Sequence, residues 1–216
     1  VLVLGLALWL RPGLDAQPAP NVVSHGPILG RPGATQMAVW ARTARAGAFT
    51  VRYGLAPDQM TLASVAASTT IEHDFTASVV LTGLQPNTKY YYQVVPAGNP
   101  ALPVAPDGWF LTLPDAEAYR NAEHNPKGLF NLRFEFGTGN NQNPMGTGPW
   151  PPAFKTMLER LHGKAHFAIQ NGDFIYEEHR GQPVNEWRTQ VGLAQDQPLP
   201  RVVDLAPTIV GVWQNY

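Results

Sequence analysis

The sequence predicts two folded units in series, an antiparallel β-sandwich over residues 20–113 and the start of a layered α/β unit over 128–216. Three observations predict this. From Val22 to about Thr112, short segments alternate apolar and polar residues between turn residues, the pattern of half-buried strands in a sandwich. Leu84-Gln-Pro-Asn-Thr-Lys-Tyr90 sets a leucine, a Pro-Asn turn and a tyrosine ahead of a strand. That is the pattern of a tyrosine corner, in which the phenol bonds back to upstream backbone and fixes a crossing between sheets. Beyond residue 128 the order becomes strand, glycine-rich loop, amphipathic helix, strand, which predicts a parallel pair with a right-handed crossover.

The chain opens on VLVLGLALWL, an apolar stretch too short to span a bilayer, followed by Arg11-Pro12-Gly13 and LDAQPAP. Residues 1–19 read as the remnant of a secretory signal peptide with cleavage after Ala16; a buried N-terminal strand or helix is the alternative. Neither an initiator Met nor a basic region precedes Val1. The expectation is therefore a chain clipped at its N-terminus, secreted or periplasmic, with no transmembrane span once processed.

Strands follow at Met37–Arg42, Phe49–Tyr53, Ala77–Leu81 and Tyr90–Val95. In the second, Phe49, Val51 and Tyr53 share one face at period two, and Thr50 and Arg52 take the other. Trp40 is expected in the sandwich core. His25 and His73 have a ligand reading, set against the packed or solvated histidine that strands usually carry. Pro114–Lys127 is polar and reads as a linker or short helix between the units.

In the second unit Leu129–Phe136 is a strand that runs into GTGNNQNPMGTGPWPP. Pro151–His162 brings Phe154, Met157, Leu158 and Leu161 to i, i+3, i+4 and i+7, with proline at the start and Gly163 just past the end. Ala165–Gln170 is the next strand, a helix is expected around Glu186–Leu193, and Pro207–Trp213 is expected as a third strand. Three strands and two helices cannot cover both faces of a sheet, so this unit is expected to be incomplete.

Composition narrows the chemistry. The formal net charge is −1 and no basic run exists, so no footprint for nucleic acid or anionic lipid is expected. With no cysteine in 216 residues, any metal must be held by oxygen and nitrogen. The loops after Phe136 and from Asn171 both leave the carboxyl ends of parallel strands, where ligands bind in open α/β sheets. QNGDFIYEE, Gln170–Glu178, sits there. Either it is a strand ending in an ordinary Gly-Asp turn, or Asp173 and Tyr176 are metal ligands. A carboxylate at a strand end can bridge two cations about 3.5–4 Å apart. A phenol three residues on can return towards the same ion, and a phenolate, a hard anionic donor, favours trivalent iron over zinc.

SHGPILG, MAVWART and LTGLQPNTKYYYQV, followed by a strand–loop–helix–strand ending in NGDFIYEE, together resemble the PhoD-like (alkaline phosphatase D) family of metallophosphoesterases over about residues 22–216. More distantly the chain is similar to the purple acid phosphatases. The resemblance implies a fibronectin type III or immunoglobulin-like sandwich, then the N-terminal portion of a metallophosphatase-type α/β sandwich. It implies a phosphate ester substrate, phosphomonoester or phosphodiester, attacked by metal-activated water. It also implies two metal ions, ferric iron plus a divalent ion such as calcium. By the same resemblance the aspartate matching Asp173 bridges the metals and the tyrosine matching Tyr176 binds the ferric ion.

Two family motifs are altered. Where the family has a Ser-Cys pair with a cysteine ligand, this chain has Thr138-Gly139 followed by Asn140, Asn141 and Gln142. Glycine has no donor, so Asn140 or Asn141 is the candidate replacement. The family's Trp-Asp-Asp-His run corresponds to Trp213-Gln214-Asn215-Tyr216; Asn215 retains an oxygen for a metal or phosphate but no charge. His179 is a candidate substrate contact, set against a solvated loop histidine. Two other functions compete. One is a non-catalytic extracellular binding protein with a degenerate phosphatase-like second unit. The other is a carbohydrate-active enzyme, which needs paired acids on facing strand ends, whereas Asp173 and Glu177 share one loop.

Overall fold

The computed structural model describes residues 20–98, 106–129, 132–139, 152–172 and 184–213, with side chains at 152–154 and 212–213 left aside. The first unit consists of two antiparallel sheets. In one, β1 (Val23–Gly30), β2 (Gln36–Thr43) and β6 (Thr76–Thr82) lie in the order β1-β2-β6. In the other, β3 (Gly47–Gly54), β4 (Leu62–Ala63), β7 (Lys89–Pro96) and β8 (Gly108–Leu111) lie in the order β4-β3-β7-β8, and β5 (Ala67–Thr69) also pairs with β3.

Period-two patterning explains which residues meet between the sheets. Val39 and Ala41 on β2, and Phe49 and Val51 on β3, are wholly buried, and Leu81, Tyr90, Val94 and Phe110 join them in one cluster. Each large apolar side chain buried this way contributes on the order of 1.5–3 kcal/mol. Trp40 departs from the expectation. Val39 and Ala41 take the inward positions, so Trp40 between them turns to the other face of β2 and is half-buried. There it packs beside Gly26, where an added Cβ would stand 3.3 Å from the indole.

The tyrosine corner is formed. Tyr90 Oη accepts the backbone N–H of Gln85 at 3.0 Å. Thr112 Oγ1 completes the corner by donating to the Gln85 carbonyl at 2.6 Å and accepting from the Thr88 N–H at 2.8 Å. At the opposite sheet Arg42 and Asp74 form a two-point pair, Nε to Oδ2 and Nη2 to Oδ1, both 2.9 Å. Asp74 is 2% exposed and left-handed at φ 48°. On β7, burial pushes the Tyr92 phenol up to about 12, with the Asp107 carboxylate adding to the effect. Burial also raises Asp107, against the Val94 N–H that donates to its Oδ2 at 2.6 Å and favours its charged form.

Between the units the polar stretch is a folded turn. A 3₁₀ helix at Glu117–Tyr119 leads into an Asn121–Asn125 bridge, and Asn125 bonds to the Tyr119 carbonyl and to the backbone of Leu129. Beyond it β9 (Phe134–Gly137), α1 (Pro152–Arg160) and β10 (Phe167–Gln170) follow, with β9 and β10 parallel as expected. The apolar side of this pair is largely open among the described residues: Phe134, Phe136, Leu158 and Ile169 are among the exposed large hydrophobics.

Three helices complete the described chain, α2 (Val184–Val191), α3 (Arg201–Leu205) and α4 (Ile209–Trp213). The last corrects the expected third strand at 207–213. Apolar runs this short do not distinguish strand from helix by period. The helix wins because a turn through Pro207, with Ala206 O accepting from Ile209 N at 2.9 Å, starts it, and because it buries Val210 against Trp187 and Val203. Ile71 of the sandwich packs on that cluster. No described helix is long and apolar enough to cross a membrane.

Candidate functional site

The parallel pair sets the candidate site. Phe134 pairs with Phe167, Phe136 with Ile169 and Gly137 with Gln170. His166 N donates to Arg133 O at 2.7 Å where the pairing starts, and Asn171 N donates to Gly137 O at 2.8 Å where it ends. The segments Gly137–Gly139 and Gln170–Gly172 therefore leave the sheet side by side at one carboxyl edge. Both turn away through left-handed glycines, Gly139 and Gly172, each at φ 74°. That conformation costs glycine nothing and strains other residues. The two segments touch across the edge, since a Cβ on Gly137 would stand 3.3 Å from Gln170 Oε1. This is the geometry expected from the sequence order, and it is the place where open α/β sheets take ligands.

The described residues of this edge offer Thr138, Gln170 and Asn171 as side-chain oxygen donors, all neutral. Among the described residues no group of three or more His, Asp or Glu side chains could hold a metal. Neutral hydroxyl and amide oxygens do not by themselves balance the charge of a trivalent or paired divalent centre, so these residues alone do not fit one. Asp173 follows Gly172 directly in the chain, but Asp173, Tyr176 and His179 lie outside the described residues, as do Asn140, Asn141 and Asn215. The two histidines weighed on the strands do not join the edge. His25 is exposed with Nδ1 at 3.1 Å from Ser24 Oγ, and His73 is exposed on the 3₁₀ turn Ile71–His73.

A second concavity, missed in the sequence, lies between the sandwich and the parallel unit. This cleft of about 440 Å³ is lined by Arg31, Met37 and Trp109 on one side and by Glu135, His162 and His166 on the other. It includes no residue of Gly137–Gly139 or Gln170–Gly172, so it is separate from the carboxyl edge. The Trp109 and His162 rings stack across it at 5.0 Å and 29°. Strand alternation carried the signal: with Phe110 inward, Trp109 must face out, and an outward tryptophan needs a cover.

Residues 9–114 match the family model described as PhoD-like phosphatase, N-terminal domain. Among solved structures the chain is similar to the structure of PhoD, at 22% identity and a TM-score of 0.50, over 69% of this chain and 27% of that one. At that identity the likeness speaks to the fold. It also matches the sensor domain of the anti-sigma factor RsgI4 of Pseudobacteroides cellulosolvens, at 17% identity and a TM-score of 0.32, over 46% of this chain and 100% of that one. The chicken CNTN1 FN1–FN3 domains match at 19% identity and a TM-score of 0.28, over 40% of this chain and 29% of that one. No match is found among curated proteins.

Proposed function

From the premise that the N-terminal part of this chain belongs to the PhoD-like phosphatase family, we propose that the chain is the N-terminal portion of an exported, metal-dependent phosphoesterase that hydrolyses phosphate esters. One observation carries the reading: behind a family-matched sandwich, the chain builds a parallel strand pair whose carboxyl edge runs directly into Asn171-Gly172-Asp173. The chain spans 27% of the PhoD chain it resembles, so the activity belongs to a protein larger than the part described. The order β1-β2-β6 against β4-β3-β7-β8, with the tyrosine corner, supports a fibronectin type III-like reading of the sandwich.

In this reading Asp173 and Tyr176 hold the metal, with Asn140 or Asn141 and Asn215 as weaker oxygen donors, and His179 contacts substrate. Such a centre, when bound, supplies Lewis acidity at the phosphoryl oxygens and a water acidic enough to attack phosphorus. Gly139 and Gly172, both left-handed, supply the turns by which the chain leaves the two strand ends. Export, the ferric and divalent ions and the ester class belong to the same proposal.

The test compares the parent protein with its Asp173→Ala and Tyr176→Phe variants. Hydrolysis of p-nitrophenyl phosphate and of bis-p-nitrophenyl phosphate is measured alongside bound iron and calcium. Loss of turnover together with loss of bound metal in Asp173→Ala supports the reading. A parent that hydrolyses neither ester and binds no metal sinks it and leaves a binding protein.

A further inference from the structure

The outer face of the second sandwich sheet carries a set of side chains that the proposed chemistry does not use. Tyr91 and Trp109 are cross-strand partners on β7 and β8. Lys89 Nζ lies over both rings, 4.8 Å from the Tyr91 centroid and 4.2 Å from the Trp109 centroid. His162, just past α1, stacks on Trp109 at 5.0 Å. Gly163 follows at φ +77°, and a Cβ there would stand 3.4 Å from the same indole. The turn that closes α1 therefore lies flat against Trp109.

That turn is short and stiffly connected to β10. Lys164 N and Ala165 N both bond to Leu161 O, at 2.8 and 3.3 Å, and His166 N bonds to Arg133 O at 2.7 Å. Three residues separate Gly163 from Phe167, the first residue of β10, and the far end of β10 is the carboxyl edge. A displacement at Gly163 has no slack in which to be absorbed before it reaches the strand.

We propose that Trp109 is a positioning residue: its indole docks the α1–β10 turn on the sandwich and so fixes where the carboxyl edge of β9 and β10 stands. The bland alternative is that Trp109 serves only the folding of the sandwich. Against this, the buried neighbour Phe110 fills the core, whereas Trp109 points the other way and is half-buried. Removing the indole opens no core cavity. The meaning of this docking for catalysis rests on the phosphoesterase reading, but the docking itself does not.

Hydrogen–deuterium exchange on the whole chain tests it, comparing the parent with Trp109→Ala, Trp109→Phe and Gly163→Ala. In Trp109→Ala, amides of 164–172 should exchange about tenfold faster, with those of β2 and β3 unchanged, because local opening follows local contacts. Trp109→Phe, which keeps a flat apolar plate, should restore most of the protection. Gly163→Ala adds a Cβ at a left-handed position, in contact with the indole, and should reproduce the acceleration at 164–172 from the other side of the contact, with β2 and β3 unchanged. Unchanged exchange at 164–172 in both alanine variants overturns the proposal, as does equal acceleration in β2 and β3 with Gly163→Ala silent. Exchange needs neither metal nor ester. An inactive parent with normal docking therefore counts against the phosphoesterase reading alone, and an active one with unmoved exchange counts against this proposal alone.

Discussion

Asp74→Ala should be among the most destabilising single changes in the sandwich. Both carboxylate oxygens of Asp74 are taken by Arg42 at 2.9 Å, and the two side chains are 3% and 14% exposed. Removing the carboxylate leaves a largely buried guanidinium whose other polar contact is Ser24 Oγ at 3.0 Å. Breaking a buried pair from one side costs roughly 3–5 kcal/mol. The low end applies here because Arg42 keeps Ser24 and a route to water, so about 3 kcal/mol is expected. In a unit of this size each kcal/mol lowers Tm by about 4–8 °C, which puts the expected loss at about 12–24 °C. The backbone adds a second term, since Asp74 is left-handed at φ 48°, a region that Asn and Asp tolerate better than Ala. Asp74→Asn therefore isolates the charge and should cost less than Asp74→Ala. The decisive measurement is urea unfolding of Arg42→Met, Asp74→Asn and the pair together. The double variant should be more stable than the sum of its parts by about 1.5 kcal/mol or more, because it strands no charge. Additivity, or an Asp74→Ala protein within about 1 kcal/mol of the parent, would refute the reasoning.

Other perturbations follow from the same packing. With the Tyr92 phenol pushed up from 10 to about 12 in the fold, the unfolded chain loses its proton first. The contribution is whole below pH 10 and is lost as pH rises towards 12, and it totals about 3 kcal/mol. Denaturation at pH 8 and pH 11.5 should show that slope, and Tyr92→Phe should flatten it. Tyr90→Phe deletes the acceptor of the Gln85 N–H and should lower the urea midpoint by the equivalent of about 1–2 kcal/mol with the m-value unchanged. Gly54→Ala would set a Cβ 2.1 Å from the Gln59 carbonyl oxygen; the backbone must shift beside buried Met60, and a loss of about 3 kcal/mol in thermal or urea unfolding is expected.

The sandwich was legible where a strand carries its own period, whereas β4 and β5, two and three residues long, are too short to carry one. Phe49, Val51 and Tyr53 announce one buried face, and Leu84 to Tyr90 announces a corner whose hydrogen bond forms as read. What was not legible depends on partners distant in sequence. Trp40 looks like a core residue by type, yet the buried parity of β2 is set by Val39 and Ala41, and type does not reveal parity. Arg42 meets Asp74 across 32 residues, and no local pattern encodes that meeting.

The second unit shows the same limit more sharply. The order of β9, α1 and β10 could be read because a helix period between two strand periods admits few topologies, and the carboxyl edge follows from that order. Pro207–Trp213 could not, since five apolar residues satisfy either period and the deciding contact, Val210 on Trp187 and Val203, lies outside the run. For the candidate site this means that sequence order locates the edge, while the donors at the edge are a matter of residue type. By the resemblance, Gly139 and Asn215 stand where the family has a cysteine and a carboxylate, and neither residue type carries a charge. The two positions can be tested separately: Gly139→Cys puts a side chain at φ 74° and should cost about 1–2 kcal/mol of stability, whereas Asn215→Asp should leave the unfolding midpoint close to the parent's. If the edge is a metal centre, both variants should also raise the affinity for iron or calcium in equilibrium dialysis. A rise in neither metal's affinity would mean that the altered positions do not face the site.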